Sequence, residues 1–367
     1  LDCAIVGCVE PSIIGAFGRN NGGFLNLARI VDFALNDGRD RLTGEQLGLH
    51  TGDPHNFTCI EDVMEAVKTQ LLYFIKLLAT EDHIIDVVQS ELTPHVLVST
   101  MIPACIEKGK DITAGGAIYH TTTPFGAGLA TATDSLAAIK KAVFEDKSVS
   151  MDELLHALDT DFEGMEGEKI RQKLLATPKF GNDDDYVDEF ARFLTDTFMK
   201  EVETYESGRG GHLVGGFFTL SSTVPLGHET PATPNGRKAR TPISDSVSPT
   251  NGVEENGPTA VLNSAAKIDH SRCAAGNAVN IKFSPGALES AGKLEKFANL
   301  ITAYLIDMHG FEVQINVVSA DTLRAAQKNP AEYRDLIIRI AGYSARFVEL
   351  APDIQEDLIT RTEHQMV

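Results

Sequence analysis

The sequence predicts an α/β fold. Long segments carry apolar residues at helical spacing, and short runs rich in β-branched residues alternate with them. No repeat of fixed period breaks that alternation across 367 residues, a length that gives one large domain or two or three ordinary ones an ample core.

The chain opens on an apolar run, LDCAIVGCVE, that contains Cys8 and Glu10. Pro11 disfavours helix at Glu10, so the pattern predicts an extended segment with thiol and carboxylate facing one side. A chain that begins inside a strand-like run leaves a sticky edge, so residues preceding Leu1 and a longer protein are expected. Phe24 to Asp37 reads as a helix, with Leu27, Ile30, Val31 and Leu35 on one face and Gly38 as its stop. A second helix begins at Thr58, with Glu61 completing a capping box, and carries Ile60, Val63, Val67, Leu71, Ile75 and Leu78. His83 to Glu107 has helical spacing interrupted by Pro94 and Pro103, and Gly109 to Phe125 reads as a long polar loop.

Further helices are predicted from about Ser135 to Phe144, from a Ser150/Glu153 capping box to Asp159, and over Asp185 to Tyr205. The acidic run Asp183-Asp184-Asp185 suits the positive end of that last helix. Ser207 to Gly216 is glycine-rich. His228 to Pro258 is a long stretch of turn residues, a length that implies function or packing by other parts of the fold. Strand-like runs follow at Ala278 to Phe283 and Phe311 to Val318, separated by a helix through Leu294 to Met308. In IRIAGYSARF, Ile338 to Phe347, an apolar run stops at Ala341-Gly342 and resumes with Tyr343. A glycine there marks a bulge, a tight bend or close approach of another backbone. A final helix spans about Asp353 to Thr362.

A formal charge of −20 and a pI near 4.9 argue against partners among nucleic acids or anionic membranes. Apolar runs fall far short of a membrane span. Five widely spaced cysteines with no C-x-x-C pair fit a reducing compartment, so a cytoplasmic protein is expected. The eleven histidines form no H-x-x-x-H pattern, and no Walker loop, G-x-G-x-x-G or G-x-S-x-G occurs. A cysteine can act as nucleophile or hydrogen-atom carrier, and a carboxylate two residues on can act as a base. From the residues alone, a structural Cys8 beside a surface Glu10 is the alternative.

GCVEP near the start and IRIAGYSARF near the end, in this order, resemble the paired signatures of the glycyl radical enzymes, the pyruvate formate-lyase-like family. TGDPHNF, FGNDDDYVD, ATPNGRKA and NGPTAVLNSAAKIDH between them are similar as well, so the resemblance covers the whole chain. Members are roughly twice as long, and the chain resembles their C-terminal half. The resemblance implies the C-terminal part of a ten-stranded α/β barrel with helices outside and two inserted finger loops. Residues 1–225 would be the barrel part carrying the Cys loop, and residues 226–367 the glycine radical domain.

By the same resemblance, Gly342 would carry a stored backbone radical, since only glycine leaves the α carbon unsubstituted. Cys8 would give the working thiyl radical and Glu10 would be the general base. No cofactor would be bound. A separate S-adenosylmethionine/iron–sulfur activating enzyme would install the radical, in an anaerobic and homodimeric protein. Val9 follows Cys8 where pyruvate formate-lyase has a second cysteine, which argues against acyl transfer. Cys-x-Glu resembles the eliminating members, so a dehydratase or lyase acting on a small polar substrate such as a diol or amino alcohol is expected. Arylacetate decarboxylation, carbon–sulfur cleavage and a catalytically silent scaffold are the alternatives. Asn20-Asn21 stands where glycerol dehydratases carry His-Asp, and an amide cannot exchange a proton as those groups do.

Overall fold

The computed structural model describes residues 2–219 and 221–365, with the backbone alone for residues 19 and 20. The chain starts with an antiparallel hairpin, β1 (Cys3–Val6) and β2 (Glu10–Ile13), whose register pairs Val6 with Glu10. Next come β3 (Phe17–Asn26) and α1 (Leu27–Ala34). The helix predicted from Phe24 thus begins three residues later, because Asn26 caps it by accepting from the Arg29 N–H.

The helix α2 (Ile60–Leu92) is a single element of 33 residues that absorbs the start of the segment predicted separately from His83. At its N-terminus Asp62, not Glu61, reaches back to the backbone N–H groups of Thr58 and Cys59. Short helices α3 (Val96–Ser99) and α4 (Pro103–Lys108) follow the two prolines. The predicted polar loop instead ends in a nine-residue strand, β4 (Tyr119–Ala127), parallel to β3. Its threonines bond inward, Thr122 to Asp86 and Thr123 to Asn21, so a polar run fills a buried strand.

Helices α5 (Leu129–Ala138), α6 (Met151–Asp159), α7 (Gly164–Leu175) and α8 (Asp185–Val202) form the outer layer around one large apolar core. The Ser150/Glu153 capping box is formed in both directions, at 3.1 and 2.7 Å. Then follow β5 (Gly216–Phe217), α9 (Thr223–His228), α10 (Gly257–Ala266), β6 (Gly276–Asn277), β7 (Val279–Phe283), α11 (Ala291–Thr302), β8 (Val313–Val317) and α12 (Ala320–Lys328). The turn-rich stretch before α10 is largely buried, with Thr230, Asp245 and Ser246 bonded to neighbouring segments and Asn235 and Arg237 to the stretch's own turns. A second hairpin, β9 (Ile337–Arg339) and β10 (Ser344–Arg346), precedes α13 (Pro352–Thr360) and β11 (Glu363–His364).

Two parallel sheets result, in the orders β3-β4-β5-β6 and β11-β7-β8. Parallel strands covered by helices are buried on both sides, the arrangement expected of an α/β protein. The two hairpins stand outside these sheets as separate antiparallel pairs. Among the described residues, no helix is long and apolar enough to cross a membrane, and no group of three or more His, Cys, Asp or Glu could hold a metal ion.

Candidate active site

Each hairpin carries a tight turn at its tip, and the two tips meet. Gly7, Cys8 and Val9 connect β1 to β2, so Cys8 lies in the middle of a turn and not in the extended segment predicted for it. The strand period therefore does not align its thiol with Glu10. Glu10 instead curls back beneath the turn: its Oε2 accepts from the Cys8 and Val9 N–H groups, both at 2.9 Å. Those donors have no strand partner, and a carboxylate satisfies both at once.

Residues 340–343 connect β9 to β10, with the Ile340 N–H donating to the Tyr343 carbonyl at 2.9 Å. Gly342 adopts φ +76°, the left-handed region that side chains resist. Space there excludes them as well. A β carbon added to Gly342 would overlap Cβ of Cys8 and lie 2.6 Å from both Cys8 Sγ and Phe218 Cζ. Residues from opposite ends of the chain are thus in direct contact.

The surroundings are apolar. Val9, Phe125, Phe218, Ala275, Ala278 and Ala341 form one buried cluster, with half-buried Cys8 packed against it. The first tip rests on β6: Gly276 has no room for a side chain, which would come within 2.8 Å of the Val9 carbonyl carbon. Behind Gly342, Asn316 holds the Arg339 backbone at two points, through Oδ1 at 2.9 Å and Nδ2 at 2.6 Å. Arg361 donates to the Ile340 carbonyl at 2.7 Å, and Gln314 accepts from the Gly342 N–H at 2.7 Å.

Burial and nearby charge together keep the proton on Cys8. Burial raises the thiol pKa most and the Glu10 carboxylate adds to it; Arg339 pulls the other way, and Glu312 adds the smallest upward push. A neutral thiol holds the S–H bond that hydrogen-atom transfer needs, whereas a thiolate has none. Beside the turn, a cleft of about 460 Å³ is lined by Val6, Gly7, Glu10, Ser12, Phe17, Asn21 and Ile112. Among the three predicted site residues, Glu10 faces this cleft while Cys8 faces Gly342. The side chain of Asn20 lies outside the described residues. Gln314, Asn316, Glu312 and Arg361 escaped the sequence reading. Gln314 and Asn316 did leave a signal there, two polar residues two apart in an apolar strand, which share a face.

The sequence and the fold both match known proteins. Residues 1–227 match the family described as pyruvate formate lyase-like, and residues 243–348 match the glycine radical family. The chain is 40% identical to trans-4-hydroxy-L-proline dehydratase of Clostridioides difficile, over 97% of this chain and 45% of that protein. It is 39% identical to isethionate sulfite-lyase of Desulfovibrio desulfuricans, over 100% of this chain and 45% of that protein. Its fold matches the glycerol-bound B12-independent glycerol dehydratase of Clostridium butyricum with a TM-score of 0.94 at 42% identity, covering 100% of this chain and 46% of that one. The chain therefore spans less than half the length of these relatives. A cysteine turn and a glycine turn in contact, matched from end to end by such proteins, make this chain a member of the pyruvate formate lyase-like glycyl radical enzymes.

Proposed function

We propose that this chain is the C-terminal part of a glycyl radical dehydratase or lyase acting on a small polar substrate. Gly342 stores the radical, Cys8 carries it to the substrate, and Glu10 is the base. The observation that carries this reading is the contact between Gly342 and Cys8, with a side chain at residue 342 sterically excluded. In the whole protein the two hairpins would be the finger loops within a ten-stranded barrel. The proposed division into residues 1–225 and 226–367 is supported by the family matches over residues 1–227 and 243–348, its boundary falling two residues inside the end of the first.

In this mechanism a separate S-adenosylmethionine/iron–sulfur activating enzyme removes one hydrogen atom from the Gly342 α carbon. The Cys8 S–H bond then breaks, its hydrogen returns to Gly342, and the unpaired electron rests on sulfur. Sulfur takes a hydrogen atom from the substrate carbon that bears a hydroxyl, re-forming S–H. Glu10 takes the hydroxyl proton, and the neighbouring group departs with its bonding pair. In a dehydration it takes up a proton and leaves as water, and Glu10 releases its own proton to close the balance. The product radical recovers hydrogen from Cys8. Dry apolar packing around both tips protects the radical from water, which is the scaffold's share of such chemistry.

The relatives act, by name, on hydroxyproline, sulfopropanediol and isethionate, so dehydration and carbon–sulfur cleavage are both supported. The acidic chain would work in an anaerobic cytoplasm as a homodimer. Electron paramagnetic resonance on the activated full-length protein tests the reading: a doublet lost in Gly342→Ala is expected, and no doublet in the parent would overturn it.

A further inference from the structure

Gln314 lies on β8, 4% exposed, with its side-chain amide held from three directions. Its Oε1 accepts from the Gly342 N–H at 2.7 Å and from Arg339 Nε at 3.1 Å. Its Nε2 donates to Glu312 Oε1 at 2.8 Å. These partners fix which end is which. A backbone N–H and a guanidinium only donate, and a carboxylate accepts, so a flipped amide would set its NH2 against two donors and its oxygen against an acceptor. Glu312 is placed to serve as that acceptor, just before β8, although burial raises its carboxyl pKa.

We propose that Gln314 is a positioning residue for the radical at Gly342, with Glu312 and Arg339 orienting its amide; this rests on the reading of Gly342 as the radical carrier. A glycine-centred radical draws stability from electron donation by its own amide nitrogen. An acceptor on the N–H pulls the proton away from that nitrogen and strengthens the donation. It also fixes the peptide plane, which must stand perpendicular to the axis of the radical orbital for the nitrogen lone pair to overlap it and donate. One oxygen thus sets both the electronic state and the orientation of the radical residue, and it holds the tip against Cys8. Arg339 donates to the same oxygen, which fixes the direction of the amide, and is itself fixed through its backbone by Asn316.

The test uses activated full-length protein and electron–nuclear double resonance at the Gly342 amide nitrogen and its exchangeable proton. In the parent, the deuteron of the exchanged amide is expected to show the reduced quadrupole coupling of a short hydrogen bond. Gln314→Leu is expected to shift both couplings and to shorten the anaerobic lifetime of the doublet about fivefold, the factor an ordinary net hydrogen bond gives. The exchange Gln314→Glu with Glu312→Gln keeps every donor facing an acceptor and is expected to restore the parental couplings and lifetime. A free-amide deuteron in the parent, or a Gln314→Leu doublet unchanged in couplings and lifetime, overturns the proposal while leaving Gly342 as the carrier. Absence of any doublet in the parent overturns the reading of Gly342 itself. The parental deuteron measurement decides the matter even where Gln314→Leu does not fold.

Discussion

Glu10 Oε2 sits 2.9 Å from the backbone nitrogen of Cys8, so one carboxylate both closes the turn and places negative charge beside the thiol. Glu10→Gln keeps an oxygen for the turn and removes the charge. The thiol pKa is then expected to fall, and alkylation of Cys8 by iodoacetamide at a pH below that pKa to speed up. Stopped alkylation profiles over pH, read by mass spectrometry at Cys8, check this. An unchanged profile would mean that the Glu10 charge does not set the thiol.

The second tip is held by side chains from its neighbours more than by its own short strands. Asn316→Ala removes both bonds to the Arg339 backbone. Two ordinary hydrogen bonds should protect the loop by at least about tenfold in opening equilibrium. Amide hydrogen exchange of residues 339–343 is therefore expected to accelerate by about that factor, with α8 unaffected. Equal exchange in parent and variant would mean that Gln314 and Arg361 hold the loop alone.

Asp134 is fully buried on α5, where its Oδ1 accepts from the Phe180 N–H and its Oδ2 from Thr250. Burial pushes its pKa up to about 6, with nearby Lys179 opposing. The folded state thus holds a proton that the unfolded chain releases near pH 4, and this group's contribution to stability falls as pH rises from about 4 through 6. Asp134→Asn keeps both contacts and carries no charge. Its stability relative to the parent is expected to rise across that window by at most about 3 kcal/mol. Urea midpoints at pH 4.5 and 7 measure the difference, and a variant that loses ground as pH rises contradicts the assignment.

Much of the site was legible because its chemistry tolerates few residue types. Cys8, Glu10 and Gly342 stood out against an extended run and a glycine step, and the structure brings the two tips together. The local geometry of Cys8 was misread, since a proline-directed extended segment and a three-residue hairpin turn leave similar sequence marks. The strand β4 was hidden because its threonines and Pro124 read as a loop; inward bonds from Thr122 to Asp86 replace the apolar alternation that strands usually show. The start of α2 was displaced by one residue of capping, Asp62 for Glu61, a choice made by backbone geometry. Gln314 and Asn316 left only the mark of two polar residues sharing one face of an apolar strand, because the backbone groups they hold, at Gly342 and Arg339, are distant in sequence.

The first tip rests on Gly276, and the second hangs from Gln314 and Asn316. Only Ala278 separates β6 from β7, and β7 pairs with β8 in a register that sets Asn280 against Gln314. Both supports therefore belong to one block of backbone, the junction of the two sheets at Ala278 with β8 beside it, which acts as a gauge between Cys8 and Gly342. Loops elsewhere can lengthen or drift without changing the gap between sulfur and α carbon. A register slip inside that block would change it at once.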